Sequence, residues 1–143
     1  VNAPYSLEQV SIATKECFVR SFKEQLPVFF QSGAIVPYSR IRQQRYTEAS
    51  FAFLPIDIMS NIDGTMELPE GQCVCTYHTG DYYSIGCSYE RLLAYCSDNK
   101  LDIISDSFEF AVNDYLSTKD ENEYITKIMF YVKKSSGDQS NPN

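Results

Sequence analysis

Apolar and polar residues alternate with a period of two along most of the chain, a pattern typical of half-buried β-strands. The clearest case is the C-terminal stretch, where every second residue from Tyr124 to Val132 shares one face. Turn-forming residues at Asn61–Gly64 and Leu68–Gly71 separate apolar runs. The pattern predicts strands at Glu8–Phe22 (one strand or two short ones), Ala34–Tyr38, Thr47–Ile56, Gln72–His78, Leu101–Val112 and Glu123–Lys133.

Only one segment has a convincing helical period. Asp81 can act as the N-cap, and the helix ends at Ser97–Lys100. Its apolar stripe predicts core packing under a sheet. The stripe consists of Ile85, Tyr89, Leu92, Leu93 and Cys96. Many strands with one clear helix predict a single α+β domain built on an antiparallel sheet.

A carboxylate lies in the most apolar part of one predicted strand. Glu109 has Phe108 and Phe110 on either side, and no Lys or Arg is close in sequence. Burying an unpaired carboxylate costs several kcal/mol unless a partner or a shifted pKa removes the charge. The chain also has 11 Tyr and 9 Phe, so Glu109 is a candidate counter-charge for a lipophilic cation among aromatic rings. The alternative is that Glu109 lies on the wet face of an edge strand.

Composition narrows the class of function. The net charge of −7 argues against nucleic-acid binding by this chain, and no apolar run is long enough to span a membrane. The five Cys are odd in number and lack the spacing typical of small disulfide-rich domains, which indicates a protein of the reducing cytosol. Cys73 and Cys75 are interpreted as buried free thiols on one strand face, and the only His, His78, as a surface or strand-end residue. No metal or cofactor is expected.

Several segments, in their order along the chain, resemble the gyrase-inhibitor-like effector-binding domain. They are Gly33–Tyr38, Phe51–Phe53, Leu68–Gly71, the helix start at Gly80–Asp81, Ser105–Glu109 and Glu123–Lys133. The chain is similar to the C-terminal drug-binding domain of MerR-family multidrug regulators of the BmrR and BltR type. The resemblance implies two β-α-β-β units related by a pseudo-twofold, with the ligand between them. Because Pro27 breaks the stretch Glu24–Ser32, the first-half helix is expected to be short or missing.

The resemblance also implies a set of site residues. The family's acidic residue, which meets the charge of cationic drugs, corresponds to Glu109, and Ala111 should face the same cavity. The predicted ligand-binding residues are Glu109, Tyr124, Phe51, Phe53, Ala111, Tyr38 and Tyr82. We expect the domain to comprise residues 1–134, followed by a disordered tail at 135–143.

The expected function is that of a cytoplasmic, non-enzymatic effector domain of a bacterial MerR-type transcription regulator. It would take up a lipophilic small molecule and contact DNA only through an N-terminal domain of a longer, homodimeric parent. Two alternatives remain open. One is a hydrolase of strained electrophilic small molecules with Glu109 as base. The other is a gyrase-inhibitor-like protein-interaction module, which a filled interior would favour.

Overall fold

A six-stranded antiparallel sheet is the centre of the fold in the part of the chain that the structure describes. The structure is a computed structural model, and it describes residues 9, 12–17, 19, 32–55, 68, 70–114 and 117–136. The main path of the sheet has the order β2-β1-β5-β6-β3, and β4 pairs with β6. The strands are β1 (Gly33–Val36), β2 (Phe51–Phe53), β3 (Cys73–Thr79), β4 (Leu101–Ile103), β5 (Ser107–Asn113) and β6 (Ile125–Lys134).

The longest strand, β6, joins the two halves of the sheet. It pairs with β3 on one side and with β5 and β4 on the other. Buried and half-buried residues alternate along it, and Ile128 and Phe130 are completely buried. The face predicted from the alternation is therefore the face that carries the core. This arrangement confirms the predicted α+β class.

Helical segments pack on the core face of the sheet. Residues 12–17 form α1, with residues 9 and 19 also helical; α2 spans Tyr38–Arg42 and α3 spans Gly86–Asp98, and a 3-10 turn covers Glu121–Glu123. The predicted stripe on α3 is confirmed: its members are buried except for the half-buried Leu93. None of the described helices is long and apolar enough to cross a membrane.

The strand predicted at Glu8–Phe22 is wrong, because the described residues in this range are helical. Thr14 is buried and Cys17 is half-buried, whereas Ile12 and Val19 are about half exposed. Buried positions three residues apart suit a helix, and the loose alternation of this segment concealed that period. The first half therefore contains a helix ahead of β1. Of the stretch Glu24–Ser32, only Ser32 lies within the described residues.

Two other predicted elements are shorter than expected. Of the strand predicted at Thr47–Ile56, only β2 is a strand in the structure. The last residue of the predicted range, Ile56, lies outside the described residues. The strand at Leu101–Val112 is divided into β4 and β5, because polar side chains between them accept bonds from other segments. Ser105 Oγ accepts from Tyr131 N at 2.9 Å, and Asp106 Oδ1 accepts from Tyr38 N at 2.9 Å. Side-chain acceptors of this kind compete with a regular ladder.

The predicted N-cap at Asp81 is also corrected. Asp81 Oδ1 accepts from Ser84 N at 2.9 Å, which closes a turn ahead of the helix, while α3 begins only at Gly86. The predicted polar loop at Ser117–Asn122 is present, and its end enters the 3-10 turn. Of the predicted tail at 135–143, only Ser135 and Ser136 lie within the described residues.

Candidate functional site

A cavity of about 150 Å³ lies between the core face of the sheet and the segments that cover it. The sheet contributes small or short side chains from β1, β5 and β6, and the cover contributes residues from α1, the segment after α2 and the turn before α3. None of the described lining residues is a Lys, Arg or His. The lining includes Glu109, Ala111 and Thr126 from the sheet, Tyr46, Tyr82 and Ile85 from the covering segments, and Asp114 after β5.

Glu109 faces this cavity because of the pleat of β5. Ser107, Glu109 and Ala111 alternate with Phe108 and Phe110, which point to the opposite face. The Glu109 side chain is half-buried, and it lines the cavity. Burial raises the pKa of the Glu109 carboxyl from its ordinary 4.5 to about 7, although a hydrogen bond from Tyr89 acts in the opposite direction. The site therefore holds a carboxylate that titrates near neutral pH.

Tyr89 holds the Glu109 carboxyl from the helix side. This completely buried residue of α3 donates its hydroxyl proton to Glu109 Oε2. Because the Tyr89 hydroxyl has only one hydrogen and directs it at Glu109, the Ser107 hydroxyl must be the donor in the second bond. Its Oγ donates to the Tyr89 oxygen at 2.7 Å. Burial, followed by the charge and the hydrogen bond of Glu109, raises the pKa of Tyr89 well above its ordinary value. Tyr89 is therefore a neutral donor at physiological pH.

The ring of Tyr89 is in turn positioned by Tyr46. The two rings stack with centroids 5.2 Å apart and planes at 13°. Tyr46 reaches this place because Gly86 opens α3: a Cβ there would lie 2.8 Å from the Tyr46 ring. Tyr46 also lines the cavity, so the first residue of α3 influences the shape of the site.

Replacing Tyr89 with Phe tests this arrangement. The variant removes the hydrogen bond that lowers the pKa of Glu109, so we expect that pKa to rise above about 7. We also expect a loss of roughly 1 kcal/mol in the free energy of unfolding, because Ser107 loses its acceptor in a buried place. NMR titration of the Glu109 carboxyl carbon and chemical denaturation measure the two effects. An unchanged pKa in Tyr89→Phe would contradict the role given to this hydroxyl.

Four other buried polar residues line the cavity: Thr14, Ser32, Asp114 and Thr126. Asp114 follows β5 and is 7% exposed. A register shift between Ala111 and Asn113 precedes it. Thr126 of β6 is 2% exposed, and its Oγ1 has no hydrogen-bond partner among the described residues. The cavity wall thus carries two carboxyl groups, from Glu109 and Asp114, and several hydroxyl groups, and the rest of it is largely apolar.

The structure brings together part of the predicted site. Glu109, Ala111 and Tyr82 all line the cavity. Tyr124 is buried beside it, and its ring lies 5.7 Å from that of Tyr82, centroid to centroid. These four residues therefore lie in one region of the structure.

Tyr38, Phe51 and Phe53 do not line this cavity. In the register of the sheet, Phe51 pairs with Ile35 and Phe53 with Gly33, so both point to the face opposite Glu109. Phe51 is 61% exposed, and Phe53 packs edge-on against Phe110 at 5.4 Å between centroids. Tyr38 begins α2 and packs against Phe130 at 6.0 Å. Their placement beside Glu109 is therefore corrected.

Sequence reasoning missed three residues of the site. Tyr89 was assigned only to the core stripe, whereas Tyr46 and Thr126 were not selected as site residues. The available signal for Tyr89 was a tyrosine in an apolar helix stripe, because a buried phenol needs a hydrogen-bond partner. Glu109, a strand carboxylate with no partner nearby in the sequence, is the kind of acceptor that such a buried hydroxyl needs.

His78 lies next to the end of β3, which agrees with one of its two predicted placements, but it is buried and not at the surface. It is 3% exposed, and its Nε2 lies 2.9 Å from the carbonyl oxygen of Asp81, so Nε2 carries the proton and donates. Nδ1 then accepts from Ser88 Oγ at 2.8 Å. These bonds connect β3, α3 and the turn that carries Tyr82. His78 therefore links these three segments through its ring nitrogens.

The predicted burial of the thiols Cys73 and Cys75 is also wrong. They share one face of β3 as predicted, but both are exposed because that face is opposite the core: Cys73 pairs with Tyr131 and Cys75 with Met129. Within the described residues, no group of three or more His, Cys, Asp or Glu side chains is arranged to hold a metal ion.

The fold and cavity together define an α+β small-molecule binding domain, and comparison with known proteins identifies its family. A family profile described as the GyrI-like small molecule binding domain matches residues 8–133. The chain therefore belongs to the GyrI-like small molecule binding domain family.

Solved structures show the same fold. The chain is similar to the crystal structure of the EcmrR C-terminal domain, with a TM-score of 0.75, 17% identity, and coverage of 94% of this chain and 87% of that chain. It is also similar to a chain in the cryo-EM structure of the EcmrR–DNA complex in EcmrR-RPo, with a TM-score of 0.55, 16% identity, and coverage of 87% of this chain and 65% of that chain. No curated protein sequence matches the chain significantly. The domain thus has the same fold as the EcmrR C-terminal domain.

Proposed function

We propose that this domain is the effector-binding part of a bacterial MerR-type transcription regulator and that it takes up lipophilic cations. The observation that supports this proposal most directly is the Glu109 carboxyl, which lines the partly open cavity without a basic side chain among the described lining residues. A cation that enters supplies the positive charge that the described lining residues do not supply. The pair is stronger than a surface ion pair because little water screens it.

The rest of the cavity suits the apolar body of such a ligand. Ala111, Ile85 and Val36 provide aliphatic surface, and Tyr46 and Tyr82 provide aromatic faces toward which a cation is attracted. Tyr89 keeps the carboxyl in one orientation, so little side-chain entropy is lost on binding. Because Glu109 has a pKa of about 7, part of the binding free energy is spent on removing its proton at neutral pH.

Regulation would follow from differential binding. A ligand favours whichever arrangement of the parent protein holds the cavity in its binding-competent form. Contact with DNA is proposed only for a DNA-binding domain of a longer, homodimeric parent in the cytoplasm, by analogy with the EcmrR–DNA complex. The chain itself has a net charge of −7, which does not suit phosphate contact.

The cavity bears on both alternatives. A protein-interaction module with a filled interior is disfavoured, because an open volume lies beside Glu109. A hydrolase has one supporting observation, since a carboxylate with a pKa of about 7 is suited to act as a general base. Turnover of an epoxide or a similar strained ring by the wild type, and its loss in Glu109→Gln, would favour the enzyme over the sensor.

Calorimetric titration with a small and a large lipophilic cation tests the proposal. Benzyltrimethylammonium and tetraphenylphosphonium are titrated at pH 8 into the wild type, Glu109→Gln and the control Glu121→Gln, in which an exposed glutamate outside the cavity changes in the same way. We expect at least one cation to bind and its affinity to fall about tenfold in Glu109→Gln, a loss near 1.4 kcal/mol. The control should bind as the wild type does. Binding that is equal in all three proteins would contradict the proposed counter-charge.

A further inference from the structure

The strand β3 has one edge that no other strand of the described sheet covers. It is the last strand in the order of the sheet, and it pairs with β6 on one side only. Its sequence contains no Lys, Arg, Asp, Glu or Pro, and its register with β6 runs from Cys73 to Thr79 without a bulge. Natural proteins use such residues and bulges to keep a free edge from pairing with another chain. The edge of β3 is therefore a regular template for a further strand.

The hydrogen bonds at the two ends of β3 show which backbone groups face this edge. Gln72 O accepts from Val132 N at 3.0 Å, and Gly80 N donates to Tyr124 O at 2.8 Å, so the even-numbered residues bond to β6. In an antiparallel ladder the residues between them direct their N–H and C=O groups away from that neighbour. The residues with outward backbone groups, all of them exposed, are Cys73, Cys75, Tyr77 and Thr79.

One of these outward carbonyl groups is already occupied by Arg91 of α3. The Arg91 Nη2 donates to Tyr77 O at 3.2 Å and to Thr76 Oγ1 at 2.9 Å. A strand that docks on β3 without displacing Arg91 therefore has the N–H and C=O groups of Cys73 and Cys75 available to it. Among the described residues, none bonds the backbone of these two residues on the open edge.

Two copies of β3 satisfy this limit when they pair antiparallel about a two-fold axis at Val74. Cys73 of each copy then lies opposite Cys75 of the other, and each pair exchanges two backbone hydrogen bonds. Because both copies use the same groups, the contact is self-complementary. An axis moved one or two residues toward the C-terminal end of β3 would require the Tyr77 carbonyl, which Arg91 occupies.

Charge complementarity favours a second copy of the chain as the occupant of this edge. Counting outward from Val74, Glu70 of one copy lies opposite His78 of the other, next to the carbonyl that Arg91 holds. Glu70 is exposed, and β3 itself carries no charged residue that would repel its counterpart. The two-fold axis places a Glu70 carboxylate near an Arg91 guanidinium at both ends of the contact.

We propose that the chain forms a two-fold homodimer in which β3 pairs with β3 of a second copy about Val74, so that one continuous sheet crosses both copies. Glu109 faces the cavity on the core side of the sheet and takes no part in this contact, so the inference is independent of the proposed function. Two short paired strands make a small interface, so the dimer is weak, with a dissociation constant of about 100 μM.

Sedimentation equilibrium under reducing conditions, from about 10 μM to about 1 mM chain, tests the dimer. In Cys75→Pro the lost N–H is one that points to the open edge, so proline removes no bond to β6 and places its ring in the contact. The control Thr79→Pro changes an outward N–H of β3 beyond the paired residues. We expect the wild type and the control to dimerise and Cys75→Pro to associate at least about tenfold more weakly. A wild type that stays monomeric, or equal association of all three proteins, would overturn the proposal; a monomer would leave an extended segment of another protein as the candidate for this edge.

Thiol cross-linking tests the register and decides the matter even if Cys75→Pro does not fold. Two proteins are mixed, one with Cys75→Ser and one with Cys73→Ser, both also with Cys17→Ser and Cys87→Ser, and an affinity tag makes one of them larger. The short reagent dibromobimane joins thiols of directly opposed residues, whose Cβ atoms are about 5 Å apart, more readily than those of diagonal neighbours at about 7–8 Å. We expect cross-links mainly between unlike proteins, because Cys73 faces Cys75 of the second copy. Cross-links mainly between like proteins, or none, would overturn the pairing about Val74.

Discussion

The affinity for benzyltrimethylammonium is expected to rise about tenfold between pH 5 and pH 8, the same ratio as between the wild type and Glu109→Gln, because protonated Glu109 is neutral like the amide. Glu109 has a pKa of about 7 in the folded protein, and only its ionised form can pair with the cation. The ionised fraction is roughly one in a hundred at pH 5 and about nine-tenths at pH 8. The ligand is quaternary and keeps its charge throughout, so the dependence reports on the protein. Titrations at half-unit intervals would give a midpoint near pH 7.

Two variants show whether this dependence belongs to Glu109. Glu109→Gln should bind weakly with no midpoint near neutral pH, since its amide does not titrate. Asp114 is the other carboxylate that lines the cavity, so Asp114→Asn serves as the matched comparison and should keep the wild-type midpoint. A midpoint that disappears in Asp114→Asn but persists in Glu109→Gln would transfer the counter-charge to Asp114. An affinity that is flat from pH 5 to pH 8 in the wild type would contradict an ionic contact in the cavity.

The C-terminal half of the fold was predictable because its elements have one wet and one buried face. In β6 the alternation is regular from Ile125 to Val132, and the buried stripe of α3 repeats at helical spacing. Local pattern and tertiary burial agree in these segments, so sequence alone was sufficient. In α1 the two disagree: Ile12 and Val19 are apolar but exposed, while the polar Thr14 is buried. A reading based on apolar positions therefore chose the wrong period.

The site was only partly predictable. Which residues of one strand share a face follows from their spacing in the sequence, but which residues of two strands lie opposite each other does not. Ala111 follows Glu109 by two residues, which alone indicates the same face. Phe51 and Phe53 lie on another strand, and their face depends on the β1–β2 register, in which they oppose Ile35 and Gly33. Their aromatic character says nothing about that register. The bond from Tyr89 to Glu109 joins residues 20 positions apart on different elements and required the tertiary structure.

A buried carboxylate that is retained to bind a cation should lower the stability of the ligand-free protein, and for Glu109 this loss can be measured. Its pKa is about 7 when folded and 4.5 ordinarily, so between these values the folded state binds more protons than the unfolded state. The free energy of unfolding therefore falls as pH rises from about 4.5 to about 7 and is level above that. The full shift corresponds to about 3 kcal/mol; because the carboxyl is only half-buried, solvent screening reduces this value and we expect a loss of about 2 kcal/mol.

Glu109→Gln removes this loss, because its neutral amide can still accept from Tyr89. Urea denaturation without ligand should show the variant equal to the wild type near pH 4.5 and more stable by about 2 kcal/mol at pH 8. Glu121→Gln, which changes an exposed glutamate, should show no such divergence. Higher stability together with weaker cation binding in one variant is the signature of a group retained for function. If Glu109→Gln is instead less stable at pH 8, the carboxylate has a stabilising partner in the free protein, and the desolvated counter-charge on which the binding mechanism depends does not exist.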